Sequence, residues 1–329
     1  MIRVPISALR TARTVPKSIA RSLSGITVHG LLAADLAMDD SSTRAPWRAV
    51  LPSREEFGES MPLMWHLDLQ ACLPAASKKL LENQRTKLQS DWDAVSRAFP
   101  SLLKDDYIYS WLVVNTRTFY YVAPGTKTKL KPDDCMALNP FADYFNHSDY
   151  GCDVVFGKDG FRVVTNRVYE QGEEVYISYG NHSNDFLLTE YGFIMGSNEW
   201  DEVKLDDVIL QELSESEKER LKHAGFLGNY ALDKGTICYR TQTALRILCI
   251  PPRQWQRFVD GLDDGDKDKS KVDIVLERLL KVSAKQAEDK IDTLSELGVG
   301  APGQKQILIA RWKQILSLLH EALKRIQSQ

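Results

Sequence analysis

The spacing of apolar residues changes along the chain and divides it into stretches of different character. Residues 2–9 (IRVPISAL) read as a short strand running into a turn, and 40–47 (DSSTRAPW) are polar and read as a loop. From Trp47 to about Leu103 the pattern is helical. Trp92, Val95 and Phe99 share one face there, Asp91 is placed to cap that last helix, and Pro100 is placed to end it. Between about 106 and 196 short apolar runs alternate with turn residues: YIYSWLVVNTRTFYYV (107–122), DVVFGKDGFRVVTNRV (153–168) and EEVYISYG (173–180). These runs predict a β-rich centre, and Gly157-Lys158-Asp159-Gly160 predicts a hairpin turn inside the second of them. From Asp206 onward helical spacing returns, broken by a charged, glycine-containing stretch at 261–271 (GLDDGDKDKSK) that reads as an exposed loop. The last helix is the clearest: Leu308, Trp312, Ile315, Leu316, Leu319, Leu323 and Ile326 recur at three- and four-residue steps, the stripe of a helix packed on a core.

This layout predicts an α+β domain carrying a helical insertion, followed by an all-α lobe, and the length of 329 residues suits two domains. The net charge of −3 gives no basic stripe for nucleic acid. Cys72, Cys135, Cys152, Cys238 and Cys249 are odd in number and share no CxxC spacing, which argues against a disulfide framework or a structural zinc cluster and for free thiols. No run approaches the ~20 apolar residues of a membrane span. Residues 1–34 carry Arg3, Arg10, Arg13, Lys17 and Arg21 with no acid before Asp35, a composition that a mitochondrial presequence shares. Periodicity and composition name no reaction.

Two short segments do. The first is Asn139-Pro140-Phe141-Ala142-Asp143-Tyr144-Phe145-Asn146-His147-Ser148. The second is Gly172-Glu173-Glu174-Val175-Tyr176-Ile177-Ser178-Tyr179-Gly180, followed by Asn181-His182-Ser183-Asn184-Asp185 and Glu190-Tyr191-Gly192-Phe193. In this order and separation they resemble the two signature motifs of SET domains, and their variant forms resemble the Rubisco large-subunit methyltransferase branch. Arg117, in Asn115-Thr116-Arg117-Thr118-Phe119, matches an arginine which that branch carries on the helix before its Asn-His motif. The stretch from Trp47 to Leu103 resembles the branch's insertion. Cys238-Tyr239-Arg240-Thr241-Gln242-Thr243-Ala244-Leu245-Arg246 resembles the start of its helical substrate-binding lobe.

The resemblance implies a SET-domain β-clip over 1–205 with a helical insertion at about 42–105, then a helical substrate-binding domain over 206–329. It implies S-adenosyl-L-methionine as cofactor and a lysine side chain of a non-histone, possibly ribosomal, protein as acceptor. Carried over, Arg117, Asn146, His147 and Phe193 bind the cofactor, Tyr179 is catalytic, and Asp143 and Tyr191 border the lysine channel; no metal is called for. Methyl transfer from a sulfonium is an in-line displacement by a neutral amine, so no Ser/His/Asp or Cys/His nucleophile is needed. His182, Ser183 and Asp185 lie too close in sequence for a hydrolase triad. Further expectations are a monomer, no nucleic-acid or membrane partner, and a cytoplasmic or nuclear location.

SET domains open with a G-x-G turn against the cofactor, whereas this sequence opens Met1-Ile2-Arg3-Val4-Pro5, like the strand that follows that turn. The expectation is that the G-x-G strand is missing and that the basic N-terminus is an internal SET segment rather than a presequence. Two other readings stay open: a SET-like protein-binding module with weak or no catalysis, and a protein-histidine methyltransferase.

Overall fold

The computed structural model describes residues 1–123, 131, 134–157, 160–234 and 237–328. Helices α1 (Lys17–Ser22), α2 (Val28–Ala37), α3 (Ala45–Arg48), α4 (Arg54–Ser60), α5 (Leu67–Ala71), α6 (Ala75–Ala98) and α7 (Lys104–Arg117) fill the first third of the chain after strand β1 (Ile2–Pro5). The centre holds β2 (Thr118–Tyr120), β3 (Met136–Leu138), β4 (His147–Gly157), β5 (Gly160–Val164) and α8 (Asn184–Tyr191). Beyond it come β6 (Glu202–Lys204), α9 (Asp206–Glu212), α10 (Glu215–His223), β7 (Ala231–Asp233), α11 (Tyr239–Cys249), α12 (Pro252–Val259), α13 (Lys269–Glu296) and α14 (Pro302–Gln327). The helices group into two compact units interleaved in sequence: residues 1–64, 80–182 and 188–192 in one, residues 65–79, 183–187 and 193–329 in the other.

In the first unit β1, β5 and β4 form an antiparallel sheet in that order, with Val4 opposite Phe161 and Val154 opposite Val163. Gly157 pairs with Gly160, so the hairpin is where the sequence put it, although Lys158 and Asp159 lie outside the described residues. The basic N-terminus is part of this body. Arg10 bonds to Leu138 through its backbone and is buried in an ion pair with Asp35.

Three readings of this region need correction. Residues 107–117 are helix, not strand: Tyr107, Trp111 and Val114 stand at four- and three-residue steps and are fully buried on α7, and burial overrides the strand preference of their side chains. Asp91 caps nothing. It lies inside α6, buried, where it accepts the Thr27 hydroxyl (2.9 Å). Residues 42–48 form a 3₁₀ turn and a short helix rather than a loop. In the core of this unit His29 stacks on Trp111 at 4.2 Å and bonds the Trp111 carbonyl through Nε2 (3.0 Å).

The second unit is built on α13 and α14, of 28 and 26 residues, packed along each other. Leu308 is buried, Ile315 and Leu319 are buried in the unit's main core, and Trp312, Leu316, Leu323 and Ile326 pack against that core, so the stripe in the last helix is a core face. The two-stranded β6–β7 sheet was not foreseen, and 261–271 is not simply an exposed loop. Residues 266–268 form a 3₁₀ turn with Asp268 buried, and α13 begins at Lys269. Arg311 is fully buried on α14, its Nε on Asp185 Oδ1 (3.0 Å) and a terminal nitrogen on Asp201 Oδ2 (2.6 Å). Burial opposes its charge, but the two carboxylates outweigh that and hold the guanidinium above its ordinary range.

Two outcomes are expected. Arg311→Met leaves Asp185 and Asp201 buried and uncompensated, so urea unfolding should show a loss of about 3–5 kcal/mol; a loss under 1 kcal/mol would mean that the triad is not what holds the unit. Burial, reinforced by Lys87, pushes the His29 imidazole down from 6.5 to about 3. The unfolded chain therefore takes a proton there below pH 6.5 while the folded chain does not until about pH 3, and stability should fall by up to about 1.4 kcal/mol per pH unit across that window. In His29→Phe the acid slope should be shallower, and identical slopes for the two proteins would refute this.

Candidate functional site

The two sequence motifs meet because a segment crosses the start of β4. Ile177 donates its N–H to the Asn146 carbonyl (3.0 Å), and Cys152 donates to the Tyr176 carbonyl (2.6 Å). Ile177 thus bridges His147 on one side and Cys152 on the other. Gly151 is what lets the backbones approach, since a Cβ there would lie 2.3 Å from the Ile177 carbonyl carbon.

The crossing delivers Tyr179 to the Asn-His segment. Its N–H donates to His147 Nδ1 (3.1 Å) and its hydroxyl donates to the Phe145 carbonyl (2.7 Å). Since Nδ1 accepts, the His147 proton sits on Nε2, 3.7 Å from Asp149 Oδ1. Burial lowers the pKa of His147 against the pull of Asp149.

Tyr179 opens on a cavity of about 310 Å³, together with Arg117, Asp143 and Tyr191, and with apolar walls that include Phe119, Phe145 and Phe161. Arg117, the last residue of α7, donates to the Asp143 carbonyl (2.7 Å) and lies 3.8 Å from its carboxylate. Asp143 sits on a 3₁₀ turn, its side chain wholly buried; Oδ2 accepts the Trp47 indole N–H (2.9 Å). Asp143 Oδ1 and Arg117 Nε are buried without a hydrogen-bond partner among the described residues. Tyr179 and Tyr191 have ring centres 5.0 Å apart. Burial pushes Tyr191 up to about 12, with Tyr179 and Glu190 adding to it. It also raises Tyr179 and Asp143, the latter against the Trp47 hydrogen bond and the Arg117 charge. Both phenols are neutral at neutral pH.

Of the residues singled out from sequence, Arg117, Asp143, Tyr179 and Tyr191 line this cavity. His147 acts on it through the Tyr179 backbone. Asn146 holds the crossing by its carbonyl, while its side-chain amide donates to Glu174 (2.6 Å) at the surface. Phe193 falls in the second unit, where its N–H donates to the Leu187 carbonyl. Asp185 accepts from Arg311 and from the Ser77 hydroxyl (3.0 Å). Sequence reasoning missed the Trp47 indole and the Phe145 carbonyl, because neither contact leaves a local pattern. No helix among the described residues is long and apolar enough to cross a membrane.

Comparison with known proteins places the chain among lysine methyltransferase relatives. The family model for the C-terminal domain of ribosomal lysine N-methyltransferase 2 matches residues 201–325. Ribosomal lysine N-methyltransferase 2 of Saccharomyces cerevisiae is 28% identical over 338 residues, covering 86% of this chain and 69% of the yeast protein. Ribosomal lysine N-methyltransferase set11 of Schizosaccharomyces pombe is 26% identical, covering 69% and 62%, and mouse SET domain-containing protein 4 is 28% identical, covering 79% and 66%. The chain thus spans about two thirds of the length of these relatives. Among solved structures, Rubisco LSMT bound to sinefungin and monomethyllysine superposes with a TM-score of 0.65 at 16% identity, over 100% of this chain and 81% of that one.

The crossing can be tested without substrate. Gly151→Ala forces a Cβ into the Ile177 backbone and should cost about 3 kcal/mol in urea unfolding. Gly58→Ala, in α4 with open space around its Cβ, should be neutral or slightly stabilising. Equal effects from the two substitutions would contradict the close approach at 151.

Proposed function

The chain belongs to the SET-domain proteins of the Rubisco large-subunit methyltransferase-like branch, and on that premise we propose that it transfers a methyl group from S-adenosylmethionine to a lysine side chain of a non-histone protein, with ribosomal proteins the first class to try. The observation that carries this reading is the cavity where the Tyr179 hydroxyl stands beside Tyr191, Asp143 and Arg117.

The residues present fit the cofactor. Arg117 Nε, buried and without a partner, is suited to a carboxylate, and Asp143 Oδ1, likewise unpartnered, is suited to a cationic group. The aromatic wall accepts a positive centre against its ring faces. Asn146 and His147 complete the proposed cofactor set within the first unit, and Asp143 and Tyr191 border the proposed lysine channel. S-Adenosylmethionine held there supplies an electrophilic methyl group on a sulfonium.

The chain's own residues deal with the acceptor. A lysine amine has a reference pKa of about 10.4 and arrives mostly as ammonium. The wall that raises Tyr179, Tyr191 and Asp143 by burial disfavours that charge too, so the ammonium gives its proton to solvent as the side chain enters. The Tyr179 hydroxyl hydrogen is engaged by Phe145, so the oxygen offers lone pairs. An amine N–H donating to it turns the nitrogen's own lone pair toward the methyl group. The rate then comes from positioning rather than from an ionised base. The same reading takes the chain to act as a monomer in the cytoplasm or nucleus, with 1–205 as the SET domain and 206–329 as the substrate-binding domain.

The test is tritium transfer from S-adenosylmethionine into total ribosomal protein, followed by mass spectrometry of the labelled residue. Methyl-lysine is expected; methyl-histidine, or no transfer with the cofactor saturating, would overturn the proposal. Tyr179→Phe should lower kcat by about 10²-fold while leaving the calorimetric Kd for S-adenosylmethionine within about threefold. Undiminished turnover would remove Tyr179 from the chemistry.

A further inference from the structure

Tyr179 has a third anchor, from a residue three positions further along the chain. His182 Nε2 lies 3.1 Å from the Tyr179 carbonyl, three residues back along its own chain. A carbonyl only accepts, so Nε2 carries a proton and donates it. The ring reaches back because Gly180 stands between: its φ is +125°, and a Cβ there would lie 2.7 Å from His182 Nε2 and 3.2 Å and 3.3 Å from the adjoining ring carbons. The imidazole occupies the space that any side chain at position 180 would take. Gly180 and His182 together form a hook.

We infer that this hook makes His182 a positioning residue for Tyr179, fixing the direction in which its side chain enters the cavity. Peptide units are planar, so the Cα–Cβ vector of a residue is set once the planes on both sides of it are held. His147 holds the plane before Tyr179 through the N–H, and His182 holds the plane after it through the carbonyl. Gly180 contributes no side-chain restraint and is the residue at which that second plane would otherwise turn most freely. With both planes held, the hydroxyl meets the Phe145 carbonyl. The two histidines do opposite work, one accepting through Nδ1 and the other donating through Nε2.

The catalytic consequence rests on the proposed function; the hook itself does not, and two readouts separate them. In ¹⁵N-histidine NMR of the whole chain, His182 is expected as the Nε2–H tautomer, with that proton slowed in exchange with water, and Gly180→Ala should abolish the slowed signal. A Nδ1–H tautomer or a freely exchanging imidazole at 182 overturns the hook whatever the protein methylates. For the consequence, initial rates of tritium transfer into total ribosomal protein are compared. His182→Ala should lower kcat about tenfold or more, with the Kd for S-adenosylmethionine and the thermal midpoint near wild type. His182→Gln, whose amide nitrogen reaches a similar distance, should recover most of the rate. Gly180→Ala should reproduce the loss, and the double substitution should be no slower than Gly180→Ala alone. Wild-type kcat in His182→Ala, additive losses, or no recovery with Gln would overturn the positioning role. If the wild-type protein transfers no methyl group at all, it is the proposed function that fails, and the NMR result still decides the hook.

Discussion

Ile177 lies on Gly151 backbone against backbone, and the hydrogen bonds from Ile177 to Asn146 and from Cys152 to Tyr176 close over that contact. The contact is local in space and long in sequence, since it ties a residue just past the first motif to one inside the second. Tyr179 follows Ile177 by two positions, so it reaches His147 Nδ1 only because the crossing is tight. The sheet beneath supports it: β4 is held by β5, and β5 by β1. Cys152, Val163 and Ile177 form a small buried cluster between the sheet and the crossing segment. A looser crossing would keep the fold's outline and lose the site.

The helical insertion belongs to the site rather than decorating it. Trp47, on α3, gives its indole N–H to Asp143, and α7 ends on Arg117, which grips the Asp143 backbone. Asp143 is therefore fixed from two directions, with one carboxylate oxygen left for whatever enters the cavity.

What the sequence made legible depended on residue identity at special backbone positions. The Gly157/Gly160 hairpin was readable because few residues serve there, whereas the strand expected over 173–180 is not one: only Ile177 forms bridges, and Tyr179 follows it in irregular backbone. The last helix was readable too, since its stripe from Leu308 to Ile326 follows one period throughout. Helix α7 was misread because Val113, Val114 and its aromatic residues favour strands locally, while their helical spacing reports burial that only packing against α2 reveals. Asp91 was misread as a cap for the related reason that its partner, Thr27, lies 64 residues away. The Trp47–Asp143 and Tyr179–Phe145 contacts are of the same kind. Each joins residues whose types are ordinary and whose meeting only the fold decides.

The electrostatics of the cavity and the anchoring of Tyr179 have one explanation between them. Burial keeps both phenols protonated, so neither tyrosine takes a proton from the acceptor at neutral pH. A site that works by excluding charge has little left to tune except geometry, and a misplacement of about 1 Å is enough to cost a hundredfold in rate. One hydrogen bond to the tyrosine hydroxyl would leave the ring free to swing about it. Hydrogen bonds to the hydroxyl, the N–H and the carbonyl of the same residue remove that freedom, and each partner comes from a position next to the crossing or just beyond it. The chemistry sets the demand for rigidity, and the close backbone crossing is the means by which a short segment meets it.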